Sequence, residues 1–420
     1  MNRRLALAAG AVVGFLAGVI VVSALRTGTD TDAGTEETSP PADTVSVTVA
    51  TTTTAPVAVS SIPANSPAET ERESHDVLLI WTSGGLAPDL GARVEDLPQT
   101  EHVSVVRAAE LALERVTGSD GVVTETYDDG WNVPIDALAL DPVRHAPFAS
   151  PSAAEQLDAL APGRGLLSAT GAALRGGGVG TVLEFSTGAV EIVGLIDDAS
   201  ASGAELIVDL ATGESLGVVQ DRFLLVAHDG DRAGLQAATV NALAAAGAPA
   251  PVRFRSPAET TWMRHGDAVL PLAQVKLHYG EFAIRDGSGR TVEIDPTWVA
   301  ENIVDVDVPV LGTVRCHRLV IDQLESALRE LVDRAITQVV DVRQFSGCHN
   351  ARRIGVGLPL SRHSWGIALD LNVGDNPRGS FTTQDPRLVD VMRTAGFGWG
   401  GSWLVPDPAH YEIIEPRDAP

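Results

Sequence analysis

Basic residues are scarce in this chain: 30 Lys and Arg stand against 55 Asp and Glu, a formal net charge of -25 over 420 residues. That balance excludes nucleic acid as an expected partner, because phosphate contacts are made chiefly by Lys and Arg. It also gives no attraction toward anionic lipid. Cysteine occurs only twice, at Cys316 and Cys348, which excludes a disulfide-rich scaffold and leaves room for one bridge. Aromatic residues make up only 5 % of the chain, yet 44 % is apolar, as expected of a folded protein, and the length allows two ordinary domains.

What is there begins with Arg3 and Arg4 ahead of an uninterrupted run of apolar and small residues, Leu5 to Leu25. This run is about as long as a bilayer-spanning helix, so residues 1–26 are expected to be a transmembrane signal anchor with its amino end inside. A cleaved signal peptide is the competing reading, with Val22-Ser23-Ala24 as a small-residue cleavage site. Either reading places the rest of the chain outside the cytoplasm, and the anchor would hold it at the cell membrane. Residues 27–75 are rich in Thr, Ser, Pro, Ala and acid without a sustained apolar period, and are expected to be a disordered tether.

Residues 76–250 are expected to form an α+β domain. Val77 to Trp81, His102 to Val106, Thr181 to Phe185, Ala189 to Leu195 and Phe223 to Ala227 have the character of strands. Ala87 to Leu97 and Leu235 to Ala245 have that of helices. No clustered Cys, His or carboxylate set stands out, and His102, His145 and His228 are taken as ordinary surface or loop residues. A binding or docking module with an unidentified protein partner fits this stretch. Ala250-Pro251 and Ser256-Pro257 mark a connector over 251–274.

Residues 275–420 are expected to be a second α+β domain. Asp295 caps a helix that Pro296 opens, Val304 to Leu311 alternates as a strand, and a long amphipathic helix is expected from Arg318 to about Val340. Cys316 and Cys348 flank that helix. In an oxidising compartment they are expected to bridge, closing a loop worth roughly 3 to 4 kcal/mol in the chain-entropy model. Zinc ligation by the two thiols is the alternative. A further helix begins at Asp385-Pro386 and ends at Gly396, followed by Phe397 to Trp403, whose tryptophans and glycines suit either a cleft wall or core packing.

The chemistry concentrates in Ser361 to Asn372 and Asp407 to Glu412. His363, Asp370 and His410 offer two imidazoles and one carboxylate, which is the ligand set of a catalytic zinc site because three protein ligands leave a fourth position open. Ala368, Asp370 and Asn372 share one face of an expected strand, with Ile367, Leu369 and Leu371 on the other. His363 lies an odd number of residues before Asp370, so the chain must bend between them, and Gly366 is suited to that bend.

The pattern S-x-H-x-x-G-x-A-x-D, followed by an acid three residues before a second histidine, resembles the VanY-type D-Ala-D-Ala carboxypeptidase family of zinc peptidases. The resemblance runs from about Val275 to Pro416. It implies His363, Asp370 and His410 as zinc ligands and Asp407 as catalytic base, where most relatives carry glutamate and an endolysin-like subgroup carries aspartate. Gly347, Asn350 and Arg352 are similar to the G-x-x-N-x-R of that subgroup and make Arg352 the catalytic cation, with Arg343 as rival. Ser361, Asn372 and Trp399 are the expected substrate-binding residues. The implied substrate is a peptidoglycan stem peptide, and the alternative is a zinc-binding regulatory module without hydrolysis. Gly163 to Asp198 bears a looser similarity to the extracytoplasmic domains of MacB-type permeases, which leaves open that this domain carries the principal function and the peptidase serves it.

Overall fold

The computed structural model describes residues 76–247, 251–267 and 269–417. The expected membrane segment and tether therefore lie outside the described residues. Among the described residues no helix is long and apolar enough to cross a membrane.

The architecture is α+β, as expected. Its first half contains β1 (Asp76–Trp81), β2 (Thr100–Thr117), β3 (Val123–Thr126), β4 (Trp131–Leu140) and β5 (Arg164–Ser168). These are followed by β6 (Val182–Phe185), β7 (Gly188–Ile196), β8 (Leu206–Asp209) and β9 (Asp221–His228). Strand pairing runs β2-β6-β7-β5-β8-β4, and β4 pairs again with β2, so six strands close into a small barrel. Alternate residues of β4 serve two cores: Val133, Ile135, Ala137 and Ala139 join one, Leu138 and Leu140 another. Such double burial explains why its apolar run is nearly continuous.

β2 extends far beyond His102 to Val106 because neighbours on both edges pair with it, although Glu110, Glu114 and Arg115 break its apolar alternation. His145 and His228, expected at the surface, are instead buried at 1 % and 4 % exposure. The His145 ring is satisfied by Ser104 Oγ at 2.9 Å, so its role remains structural.

The connector is not a free linker. β10 (Arg253–Arg255) pairs with β1, while β11 (Ile284–Asp286) and β12 (Val292–Ile294) extend the sheet from β4. The helix Leu272–Tyr279 presses Lys276 against the barrel, where its fully buried Nζ lies 2.7 Å from Glu205 and 2.8 Å from Glu281. Arg175 from the barrel side also pairs with Glu281. Glu71–Pro420 accordingly forms one compact unit, even though the terminal half keeps its own core around Leu324, Leu328, Trp365, Leu369 and Phe397.

In that terminal half β13 (Ile303–Val308) and β14 (Gly312–His317) form a hairpin. The long helix spans Ile321–Asp333 and stops short of Val340. Ala335 takes a positive φ of 54° and ends it, and the β-branched run Ile336, Thr337, Val339, Val340 favours leaving the helix. β15 (Ala368–Asp370), β16 (Phe397–Trp399) and β17 (His410–Ile413) make a sheet with β17 central. Cys316 and Cys348 are bonded to each other, their Cα atoms 5.2 Å apart.

Candidate active site

His363 sits in a short 3-10 turn, Arg362–Trp365, whose first turn is capped by Ser361. Gly366 closes it with a φ of 67°, and a Cβ there would lie 2.8 Å from the backbone nitrogen of His317, so glycine is required both for the bend and for the close approach. The chain then enters β15, where Asp370 stands directly across from His410 and Ala368 across from Glu412. One face of the β15-β17 pair thus carries Asp370, His410 and Glu412, and the small Ala368 leaves space among them.

The three expected ligands converge. Candidate donor atoms of His363, Asp370 and His410 all lie within 4.8 Å of one another. Asp370 Oδ2 is 3.3 Å from His363 Nε2, and its Oδ1 is 3.0 Å from His410 Nδ1. The remaining ring nitrogens are held from behind. His363 Nδ1 donates to the Cys348 carbonyl at 2.8 Å, and His410 Nε2 lies 3.0 Å from Glu412 Oε2. Among the described residues His363 Nε2 is buried without a hydrogen-bond partner. An orphaned imidazole nitrogen beside a carboxylate, with each ring oriented through its other nitrogen, suits a metal with two His ligands and one Asp ligand.

The electrostatics agree. Burial acts to raise Asp370, but the close approach of the two imidazoles, with His410 hydrogen-bonded to it, overrides this and holds the carboxyl well below the usual range. Burial acts to lower His410, and its bonds to Asp370 and Glu412 outweigh that, raising it to about 10. A metal cation bound there would displace the proton that this environment favours on His410.

Asp407 is half-buried and lines the same cavity. Burial raises its pKa above the ordinary aspartate value, a shift opposed by His410. Its backbone turns tightly into β17, with the His410 N–H donating to the Asp407 carbonyl at 3.0 Å. A Cβ at Gly400 would lie 2.5 Å from that carbonyl, so the Trp399 to Trp403 segment contributes close backbone approach as well as aromatic surface.

Arg352 also lines the cavity, and both Asp370 and Asp407 act on its charge. Its backbone is stitched to the ligand loop: Ser361 N–H donates to its carbonyl at 3.0 Å, and its N–H donates to Ser364 Oγ at 3.1 Å. Arg343 is exposed and paired with Asp341 at 2.8 Å, away from this cluster. Ser361 lines the cavity as expected.

Asn372 and Trp399 are placed differently from expectation. The Asn372 side chain donates to the Val339 carbonyl and Gln384 and accepts from Asp341 N–H, which leaves it braced against the core at a φ of 55°. Trp399 donates to the Pro408 carbonyl at 2.8 Å and lies against Arg393. Trp403 is the tryptophan at the site, 5.2 Å from the His410 ring, centroid to centroid. Arg378 approaches Asp407 Oδ2 to 3.9 Å and was not signalled by the sequence, since a lone exposed arginine in a loop carries no pattern.

The fold and the site together define a protein with a candidate metal-binding hydrolytic centre. Residues 355–413 match the family model described as D-alanyl-D-alanine carboxypeptidase, a peptidase family. That segment contains His363, Asp370, Asp407 and His410, and Arg352 lies just outside it. The middle region is similar to the periplasmic region of MacB from Actinobacillus actinomycetemcomitans, with 9 % identity over 43 % of this chain and 88 % of that one, at a TM-score of 0.32. It is also similar to the extracellular domain of the noncanonic ABC-type transporter YknZ from Gram-positive bacteria, with 9 % identity over 43 % and 99 % of the two chains, at a TM-score of 0.30. No curated protein matches the chain.

Proposed function

We propose that the chain is a zinc-dependent peptidase that hydrolyses peptide bonds in peptidoglycan stem peptides outside the cytoplasm, tethered through residues 1–26. The observation that carries this is the convergence of His363, Asp370 and His410 in one cavity with Asp407 and Arg352. The peptidase family match supports the reaction class, and the bonded cysteines fit an oxidising compartment.

His363 through Nε2, His410 through Nδ1 and Asp370 would hold the zinc, which when bound supplies a Lewis acid for the carbonyl and acidifies water. Asp407 takes the proton of the attacking water and returns it to the leaving amine, and its burial raises its basicity for that task. Arg352 stabilises the negative charge that develops on the carbonyl oxygen. Ser361 and Trp403 border the space in which the peptide lies.

The test is mass spectrometry of wall peptides incubated with the full chain and with Asp407→Asn. The expected outcome is release of D-Ala or a cross-bridge cut by the wild type and a loss of a hundredfold or more in the variant, which keeps its zinc. Equal activity of the two proteins removes Asp407 as the base. A zinc-loaded wild type that is inert on every stem peptide overturns the peptidase reading.

A further inference from the structure

The cavity at the candidate metal site has a volume of about 720 Å³, and the terminal region supplies only part of its wall. The rest comes from β2, β4, β9 and the segment after β10, including Glu110, Asp136, Arg222, Arg264 and His265. A volume of that size takes a peptide of several residues rather than a single small group.

On this wall the charges do not balance. Glu110 is already engaged by Arg353 at 2.7 Å, and Asp267 lies 3.5 Å from Arg253. Asp136 is left to serve three guanidiniums, those of Arg264, Arg222 and Arg362, the last of which also donates to the Leu270 carbonyl at 2.5 Å. Arg264, only 5 % exposed, donates from Nη2 to Asp136 Oδ1 at 2.6 Å, while its Nε and Nη1 are buried without a partner among the described residues. Arg222 is half-buried beside it, and its one hydrogen bond to a described side chain is to Gln220 Oε1 at 3.2 Å. Burial first, and then the charge of Arg264, disfavour its protonated state, with Asp136 opposing. A desolvated guanidinium with unused N–H donors, beside a second half-buried one, is costly unless an anion joins them, and a carboxylate matches the guanidinium fork.

We infer that Arg222 of β9 and Arg264 of the segment after β10 form a carboxylate subsite on the wall of the cavity that faces the terminal region, which receives an anionic group of the peptide away from the bond being cut. This rests on the peptidase reading, and it gives the middle region a part in substrate selection. The carboxylate comes either from an acidic side chain or from the chain terminus.

Calorimetric binding to the hydrolysis-impaired Asp407→Asn full chain distinguishes these sources. The probes are an acetylated pentapeptide ending in D-Ala-D-Ala with Glu at its second position, the same peptide with Gln there, and the C-terminal amide of each. One of the two neutralisations is expected to weaken binding about tenfold, as for loss of a charge-assisted hydrogen bond, and it identifies the source. Adding Arg222→Gln should abolish that difference while leaving affinity for the neutral peptide and zinc content unchanged. Arg222→Lys should restore part of it. A preference for the acid that persists in Arg222→Gln, or equal binding of all four peptides to the parent, overturns the subsite but not the peptidase. Failure of every peptide to bind, with no hydrolysis by the wild type, overturns the peptidase reading and the subsite with it.

Discussion

His363 donates its Nδ1 proton to the main-chain carbonyl of Cys348, 2.8 Å away, and Cys348 is bonded to Cys316 at the end of β14. The disulfide therefore fixes the acceptor that sets the tautomer and direction of a candidate metal-ligating ring. It also ties β14 to the segment that leads into Arg352, so one covalent link steadies a candidate ligand and the candidate oxyanion-stabilising cation.

Replacing both cysteines by serine should lower stability by about 3 to 4 kcal/mol, the loop-entropy value for a bridge closing some thirty residues. Zinc affinity should fall between ten- and a hundredfold, because the partner of a ligating histidine is loosened. Urea denaturation and competitive chelator titration measure the two effects. Unchanged affinity at reduced stability would mean that the loop holds the Cys348 carbonyl without the bridge.

Glu412 holds His410 from behind, with its carboxylate 3.0 Å from Nε2. Glu412→Gln should retain zinc but bind it ten- to a hundredfold more weakly, whereas His410→Ala should lose stoichiometric zinc. Metal analysis after dialysis separates the two. Stoichiometric zinc in His410→Ala would remove that residue from the site.

Glu110 of β2 reaches across to the loop between Arg352 and Ser361. Its Oε1 accepts from Arg353 at 2.7 Å and its Oε2 accepts from the Leu360 N–H at 3.1 Å, where Arg353 and Leu360 also bridge to each other. On the proposed peptidase reading it acts as a positioning residue. Glu110→Ala should cut kcat by about ten- to a hundredfold through displaced Arg352, with zinc content unchanged. Glu110→Gln, which keeps an acceptor for Leu360, should recover part of the loss. An unaltered kcat in Glu110→Ala would show that the loop keeps its shape without the barrel.

Burial lowers His145 and His317 to about 4, below the ordinary value near 6.5. Between those two values the unfolded chain binds more protons than the folded one, so stability rises with pH there and is lost as pH falls from about 6.5 toward 4. Urea midpoints across that window should decline on acidification, and His145→Gln should flatten the decline. The same slope in the variant would assign the acid sensitivity elsewhere.

The candidate ligands His363 and Asp370 could be related in the sequence because their spacing is local chemistry on regular structure, with Gly366 supplying the bend, and the two lone cysteines flanking one helix pointed to the bridge that forms. Arg352 was singled out through a resemblance, its spacing to Gly347 and Asn350 being similar to G-x-x-N-x-R, and the structure puts it in the same cavity as His363 and His410. Asn372 was misplaced because strand alternation was carried two residues past the end of β15, where a positive φ turns the side chain into the core. Trp399 and Trp403 are equivalent in sequence, and only the docking of the Asp407 turn on Gly400 decides which one faces His410. The largest difference lies in the middle region. Read along the chain, it ends at a proline-marked connector, and nothing in its periodicity points to a distant histidine. The tertiary structure closes its barrel, runs its sheet on through β10, β11 and β12, and turns Glu110, Arg222 and Arg264 toward the candidate metal centre. Local sequence sets which residues have ligand or base chemistry. Which elements wall the cavity around them depends on long-range strand pairing and on buried ion pairs such as Lys276 with Glu205, whose partners lie far apart in sequence and meet only when the chain has folded.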